Sequence, residues 1–289
     1  MVQLLQDPSF KVREEAAVTV GKFSEHIVPE FLQQHATVLP ALLSVLQELQ
    51  NSSEIVLSKA LYALHEFCEN LTSDDIKPYL PAIVPLVLAY IKNGSRGVKN
   101  WALNALSTVC SAAEEYLQPY YEEILASVTQ FTEKDYAKDH LLRGQALVAA
   151  GQIARSGGKA AFAPYIDLFS QTALQCLEDK AFEARESAFS FFANAAAILR
   201  DGIAPLIEKL VNTASEAILS KEGIHYQKKD KKKEFSLGSD SEEEELEGIA
   251  VKNEFIDEKT AAVHLLGNLF LYSPTVMLPF LPTVLNTLK

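Results

Sequence analysis

The chain has 289 residues, 48% of them hydrophobic, and its 38 acidic against 26 basic residues give a formal net charge of −12. This composition permits a long buried core, and the sequence shows no signal peptide and no apolar run of about 18 residues. Direct binding to nucleic acid is disfavoured, because affinity for phosphates requires clustered Lys and Arg. The acidic balance instead favours a basic protein partner, and the missing apolar run predicts no membrane partner.

A repeat runs along the whole chain. Aligning its copies on one alanine gives gaps of 44, 42, 44, 42 and 74 residues, so the last copy carries an insertion of about 32 residues. A period near forty is typical of helix pairs stacked into a HEAT-type solenoid. The aligned alanines are Ala16, Ala60, Ala102, Ala146, Ala188 and Ala262.

Each copy reads as the second helix of a pair. The residues one, four and seven positions after the alanine are apolar in every copy, and these spacings fall on one helical stripe that must be buried. Five positions after the alanine stand Gly21, Gly151 and Gly267, which predict close approach of a neighbouring helix. The positions one before, two after and six after the alanine form a polar face, which we predict to be the inner, ligand-facing surface.

The turn before each second helix has its own pattern. Three positions before the alanine the residue is basic in five of six copies, as in Arg185, and six residues earlier stands an Asp or Asn in five of six, as in Asp179. A side-chain oxygen at that position can cap the following helix. We therefore predict that the basic residue bonds this oxygen and the turn of the next repeat.

Proline followed by an aromatic residue opens the first helices, as in Pro78–Tyr79 and Pro164–Tyr165. Proline is tolerated there because its missing N–H has no intrahelical partner in the first turn, and the aromatic ring is predicted to be a packing anchor. No stretch alternates convincingly as a strand. The prediction is an all-α HEAT-repeat solenoid over residues 1–289, with about six antiparallel helix pairs. The first and last pairs are incomplete, which predicts a fragment of a longer array.

Residues 222–254 form the insertion, between the first and second helices of one repeat. A lysine-rich run at 228–233 precedes an acidic run at 239–245, and such blocks predict disorder. One interpretation is a solubilising loop; the other is an acidic arm that contacts a basic ligand. Ser239 and Ser241 precede acidic residues and are candidate phosphorylation sites. The candidate ligand contacts of the arm are Asp240, Glu242, Glu243, Glu244 and Glu245.

The sequence contains no motif for catalysis or cofactor binding. It has no glycine-rich phosphate loop, HExxH, CxxC pair or GxSxG, and its six histidines fall at unrelated repeat positions. Cys68, Cys110 and Cys176 are predicted to be buried thiols in a reducing compartment. We therefore predict a protein that is not an enzyme and holds no metal or cofactor.

Trp101, the only tryptophan, stands in a normally polar column of the predicted inner face. It is predicted either to pack between two helices or to stack on a Lys or Arg of a ligand, as cation–π geometry favours. Asparagine side chains further along the face could bond the backbone of an extended peptide. The candidate contacts of the inner face are Tyr62, Glu66, Trp101, Asn104, Asn194 and Asn268.

The chain resembles the middle of a karyopherin-β, a member of the importin-beta superfamily, and within it the importin-four type. The resemblance covers nearly all 289 residues through the repeat columns. It also includes the acidic stretch at 239–247, the helix start at 254–259 (EFIDEK) and the first-helix opening at 279–282 (PFLP). It implies a right-handed superhelix whose second helices line the concave side.

By the same resemblance, the protein would be a monomer that shuttles between cytoplasm and nucleus through the nuclear pore. It would carry basic cargo such as histones and ribosomal proteins, and the GTP form of Ran would release this cargo. Ran-GTP and nucleoporins would bind the full-length protein.

Two other functions are compatible with parts of the pattern. One is a scaffold subunit of a multiprotein complex, similar to the phosphatase scaffold built from related repeats, although that scaffold has short uniform turns and no acidic insertion. The other is an unrecognised enzyme, which would require a convergent polar cluster that the sequence does not show.

Overall fold

The computed structural model describes residues 2–27, 30–48, 53–228, 246–251 and 253–289. Their main elements, in chain order, are α1 (Phe10–His26), α2 (His35–Glu48), α3 (Glu54–Cys68), α4 (Ser73–Ile76), α5 (Leu80–Asn93), α6 (Arg96–Ala113), α7 (Tyr121–Thr129), α8 (His140–Phe162), α9 (Ile166–Leu177), α10 (Phe182–Leu199), α11 (Ala204–Leu219), β1 (Ile224–Lys228), β2 (Leu246–Val251), α12 (Asn253–Tyr272), α13 (Pro274–Met277) and α14 (Leu281–Thr287). Short 3-10 turns join many of them.

The helices form two layers, as predicted for a solenoid. The second helices of the pairs are α1, α3, α6, α8, α10 and α12, and each packs extensively against the next one along the chain. The first helices (α2, α5, α7, α9, α11 and α14) contact one another only sparingly. A stack bends toward its more closely spaced layer, so the second helices lie on the concave side.

The core lies between the two layers and follows the repeat columns. All six aligned alanines are buried, at 0–4% exposure. The apolar stripe is fully buried in the interior repeats, whereas one residue of it is exposed in each outermost repeat: Phe23 at 37% and Val263 at 43%. The prediction that every copy buries its whole stripe is therefore wrong at Phe23 and Val263, because α1 and α12 each have a second helix on only one side among the described residues.

The neighbouring helix approaches closely, as predicted, at two of the three glycines that stand five positions after the aligned alanine. A Cβ atom added to Gly21 would lie 2.5 Å from Cε1 of Tyr62, and one added to Gly151 would lie 3.3 Å from Cα of Phe191. Tyr62 and Phe191 each belong to the following second helix. At Gly267, a Cβ would have no such neighbour within 4 Å.

Replacing these glycines should therefore have opposite effects. Gly267→Ala is expected to raise the free energy of unfolding by about 0.5–1 kcal/mol, because alanine favours the helix and nothing obstructs its methyl group. Gly21→Ala is expected to lower it, because the ring of Tyr62 has to move. Urea unfolding of the two variants measures both shifts, and a stabilised Gly21→Ala protein would contradict the close approach.

The Pro-aromatic pairs lie in short 3-10 turns that lead into the first helices. Lys77–Tyr79 precedes α5 and Ala163–Tyr165 precedes α9. Tyr79 and Tyr165 are partly buried against the core, which agrees with their predicted role as packing anchors.

Three of the five basic residues that precede the aligned alanines, all arginines, anchor their turns through the backbone. The guanidinium Nη1 atoms of Arg13, Arg143 and Arg185 donate hydrogen bonds to the carbonyl oxygens of Asp7 (2.7 Å), Ala137 (3.3 Å) and Asp179 (2.7 Å). The predicted acceptor, a side-chain oxygen of the Asp or Asn, is therefore wrong. A carbonyl acceptor is present whatever the side chain, which explains why alanine at position 137 preserves the contact.

The disorder predicted for residues 222–254 is wrong at both ends of the insertion. Strands β1 and β2 pair antiparallel there, with Ile224 opposite Val251, because the pairing satisfies backbone N–H and C=O groups. The insertion lies between α11 and α12, the first and second helices of one repeat, as predicted. The predicted loop contacts and phosphorylation sites, namely Asp240, Glu242, Glu243, Glu244, Glu245, Ser239 and Ser241, lie outside the described residues.

Candidate partner-binding surface

The aromatic part of the predicted surface is formed by Tyr62 on α3 and Trp101 on α6. Their ring centroids are 5.2 Å apart and the ring planes meet at 77°, an edge-to-face arrangement. The ring of His65 lies 6.4 Å from Trp101, and its Nδ1 shares a 2.6 Å hydrogen bond with Oγ1 of Thr108. Tyr62 and Trp101 both remain partly exposed. Trp101 thus packs against α3 and the core while part of its ring remains accessible.

A carboxylate stands beside this pair. Glu66 lies on α3, and its pKa is raised by burial and by the charges of Glu69 and Glu25. Burial lowers the pKa of His65, so its imidazole is neutral at pH 7 and does not cancel the carboxylate. A cation on a ligand would relieve the repulsion between the Glu66 carboxylate and the negative charges of Glu69 and Glu25. The corner formed by Tyr62, His65, Glu66 and Trp101 is called the aromatic–acidic corner below.

The lysine of this surface that shares α3 with Tyr62 and Glu66 is already paired. Lys59 Nζ on α3 lies 2.7 Å from Oε1 of Glu14 on α1, and this contact raises the Lys59 pKa. The lysine therefore adds little free positive charge to the concave side.

The predicted asparagines are distributed along the array. Asn104 donates its amide to the carbonyl oxygen of Asn100 in its own helix (3.1 Å), and Asn268 donates to the carbonyl oxygen of Ala193 (3.1 Å), which links α12 to α10. Asn194 lies on α10, two second helices beyond Trp101. Only Asn104 shares a helix with the aromatic–acidic corner, and Asn268 has one amide hydrogen committed to the fold.

Sequence reasoning missed a groove between α8 and α10. Its volume is about 250 Å³, and Glu183 and Glu186 line it together with Gln145 and Ser190. Burial and the charges of Asp257, Glu183 and Glu258 raise the pKa of Glu186 to about 7. Glu186 stands two positions before the aligned alanine, outside the columns assigned to the inner face, so the column pattern gave no signal for it.

An ion pair at the base of the insertion was also missed. Glu258 on α12 is 1% exposed, and it accepts hydrogen bonds from Nε and Nη2 of Arg185 on α10, the latter at 3.1 Å. Arg185 also lies 4.0 Å from Glu222, where the insertion begins. Burial disfavours the Arg185 cation, but its bonds to Glu258 outweigh this and raise its pKa.

The sequence did hold a signal for this pair. The column four residues before the aligned alanine is apolar in the other five copies: Val12, Val56, Val98, Leu142 and Ala184. A glutamate at such a buried position requires a cationic partner.

Two further contacts fix the start of α12 against the insertion. Lys259 Nζ donates to the carbonyl oxygens of Ile218 and of Ser220, the latter at 2.8 Å, at the C-terminal end of α11. A Cβ atom added to Gly223 would overlap the ring of Phe255. The two ends of the insertion therefore leave the array from a fixed base.

Cys68, Cys110 and Cys176 are buried free thiols, as predicted. Burial raises the pKa of Cys68 and of Cys110 to about 12, so neither is a reactive thiolate. In the described part of the chain, no group of three or more His, Cys, Asp or Glu residues is arranged to hold a metal ion.

None of the described helices alone is long and apolar enough to cross a membrane. Asn253–Tyr272 and Pro274–Thr287 meet the length and composition test only as a pair, which is bent by 119°.

Comparison with known proteins identifies a family. Residues 16–203 match the family described as importin subunit beta-1-like, TPR repeats. The chain is 26% identical over 295 residues to the probable importin subunit beta-4 of Schizosaccharomyces pombe, with 97% of the chain and 27% of that protein covered. It is 29% identical over 296 residues to importin-4 of Mus musculus, with 96% of the chain and 27% of that protein covered.

The fold is also that of a solved karyopherin. The crystal structure of Kap121p bound to Pho4p superposes with a TM-score of 0.80 at 18% identity, covering 99% of this chain and 28% of Kap121p. The chain thus spans about a quarter of the length of the relatives that it matches. Since the family match covers well over half of the chain, the protein belongs to the importin subunit beta-1-like family.

Proposed function

We propose that this chain is a cargo-binding middle segment of a nuclear import receptor, and that its concave layer holds extended basic segments of cargo such as histones and ribosomal proteins. The observation that carries the proposal is the aromatic–acidic corner, where two partly exposed rings stand beside an unneutralised carboxylate. A ring face and a carboxylate together suit a lysine or arginine side chain.

The family supports the wider part of the proposal. The chain's relatives are named importins, and the solved structure of Kap121p shows it bound to Pho4p. In the full-length protein, we propose binding to nucleoporins and to Ran-GTP, shuttling between cytoplasm and nucleus, and release of cargo by Ran-GTP. The receptor would act as a monomer by binding alone, without catalysis or direct contact with nucleic acid.

The acidic run of the insertion has a part in this proposal. Asp240 and the glutamates 242–245 would compete for a basic ligand or hold it, because they are tethered to the base formed by β1, β2 and α12. Phosphorylation of Ser239 or Ser241 would add about −1.5 to −2 charges at each site and strengthen this effect.

The test uses Trp101 as its own reporter, because it is the only tryptophan of the chain. Titration with an unlabelled lysine- and arginine-rich histone-tail peptide is expected to change its fluorescence. With a labelled peptide in anisotropy, Trp101→Leu should weaken binding about tenfold and Trp101→Phe less, because phenylalanine keeps a ring face while leucine keeps only the bulk.

Glu66→Gln is expected to weaken binding and to flatten its dependence on salt, since one charge contact is lost. Circular dichroism and thermal unfolding check that the variants are folded. Equal affinity of Trp101→Leu and the unchanged chain would refute the proposed site. Recovery of a phosphatase, with no histone and no Ran, by the full-length protein would favour the scaffold function.

A further inference from the structure

A second cleft lies near the C-terminal ends of α6 and α12, beside the second half of α8. Its volume is about 420 Å³. Tyr272 belongs to α12, which follows α8 and α10 in the layer, so the cleft lies on the inner side of the curve. The lining residues come from the end of α6 (Cys110 and Ser111), from the 3-10 segment that follows it (Glu114 and Glu115), from α8 (Gln152, Arg155 and Ser156) and from α12 (Tyr272).

An unused acceptor lines this cleft. The Oε1 atom of Gln152 is buried and has no hydrogen-bond partner among the described residues. A buried carbonyl oxygen without a donor costs free energy, and native structures normally satisfy such an atom with a protein group, a water or a ligand. The Gln152 oxygen therefore retains an unused capacity to accept a hydrogen bond.

The charges of the cleft specify what kind of donor fits. Glu114 and Glu115 contribute two negative charges and Arg155 one positive charge, so the lining has a net charge of −1. A lysine ammonium or an arginine guanidinium offers several donors and no acceptor. Such a side chain would donate a hydrogen bond to the Gln152 oxygen and would also neutralise the net negative charge of the lining.

The distance to the aromatic–acidic corner sets a spacing. Trp101 and the last residue of α6, Ala113, are 12 residues apart, which is about 18 Å along a helix at 1.5 Å per residue. An extended ligand at about 3.3 Å per residue crosses this distance with five or six residues.

We propose that this cleft is a second subsite for a cationic side chain, and that it binds the same basic segment as the aromatic–acidic corner. The inference rests on the proposed function and makes it more specific. The preferred ligand carries two basic positions separated by five or six residues.

Three labelled peptides test the spacing by fluorescence anisotropy. One has a single lysine–arginine cluster, and two have two such clusters of the same total charge, separated by five or by one Gly/Ser residue. The five-residue spacer is expected to bind about tenfold more tightly than the one-residue spacer, because both subsites are then engaged by one molecule.

Two charge variants give effects of opposite sign. Glu115→Gln is expected to weaken the five-spacer peptide about threefold to tenfold, and Arg155→Gln to tighten it, since each changes the charge that the ligand meets. Neither should alter binding of the single-cluster peptide. Glu115 and Arg155 are both exposed, so their replacement should leave the fold intact, and Gln152→Leu provides a further variant that removes the acceptor.

Equal affinities for the two spacers overturn the inference while leaving the proposed function intact. So does a set of Glu115→Gln, Arg155→Gln and Gln152→Leu variants that all bind the five-spacer peptide like the unchanged chain. Failure of every peptide, including the single-cluster one, to bind the unchanged chain overturns the proposed function and this inference with it.

Discussion

Replacing Arg185 with methionine is expected to lower the free energy of unfolding by about 3–5 kcal/mol, because it leaves the carboxylate of Glu258 buried without its cation. Glu258 is 1% exposed, so water cannot take the place of the guanidinium. The variant also loses the hydrogen bond from Arg185 to the carbonyl oxygen of Asp179. Urea unfolding followed by circular dichroism measures the loss.

The control for this prediction comes from the other repeats. Glu258→Leu places an aliphatic side chain at a position where the other copies have Val, Leu or Ala, and it leaves Arg185 bonded to Asp179. Its effect should be much smaller. The double variant Arg185→Met/Glu258→Leu should recover most of the stability, since replacing both members of a buried pair by apolar groups is often neutral. A double variant as unstable as Arg185→Met would contradict this explanation.

Phe191→Ala is expected to cost about 3–5 kcal/mol, the usual range for removing a fully buried phenylalanine. The ring of Phe191 is 0% exposed and lies 6.3 Å from the ring of Phe162 on α8, 6.3 Å from Phe169 on α9 and 5.3 Å from Phe192. It therefore packs the two helices of its own repeat together and joins them to the second helix of the preceding repeat. Thermal and urea unfolding report the change.

Leu219→Ala is a matched control, because Leu219 is 62% exposed at the end of α11 and should change stability little. Phe191→Leu should fall between the two, since leucine refills part of the cavity. If Phe191→Ala unfolds like Leu219→Ala, the phenylalanine cluster does not hold the repeats together.

The sequence predicted those parts of the fold that recur with the period. Six copies of one column show that Ala102 is buried, and a small column shows that a neighbour approaches Gly21. What occurs once in the chain is harder to predict. The acceptor of Arg185 is a backbone carbonyl, which no side-chain pattern reveals, and its second partner lies 73 residues away, beyond the insertion.

The candidate surface divides in the same way. Trp101 was found because a ring replaces a polar residue in a repeated column, and Glu66 because it shares that face. Glu186 and Gln152 gain their character from groups on other helices. The charge of Asp257 acts on the first, and the cleft closed by Tyr272 surrounds the second. A contact of this kind depends on the curvature of the array, which a single amino-acid sequence does not specify.

The unequal packing of the two layers has a mechanical consequence. The second helices resist sliding, because glycines and phenylalanines of neighbouring helices interlock. The first helices contact one another sparingly, so the distances between them can increase or decrease. The array should therefore bend elastically about the contacts between its second helices. Small rotations between successive repeats would add up, so the width of the concave side would adjust to ligands of different size at little cost in free energy.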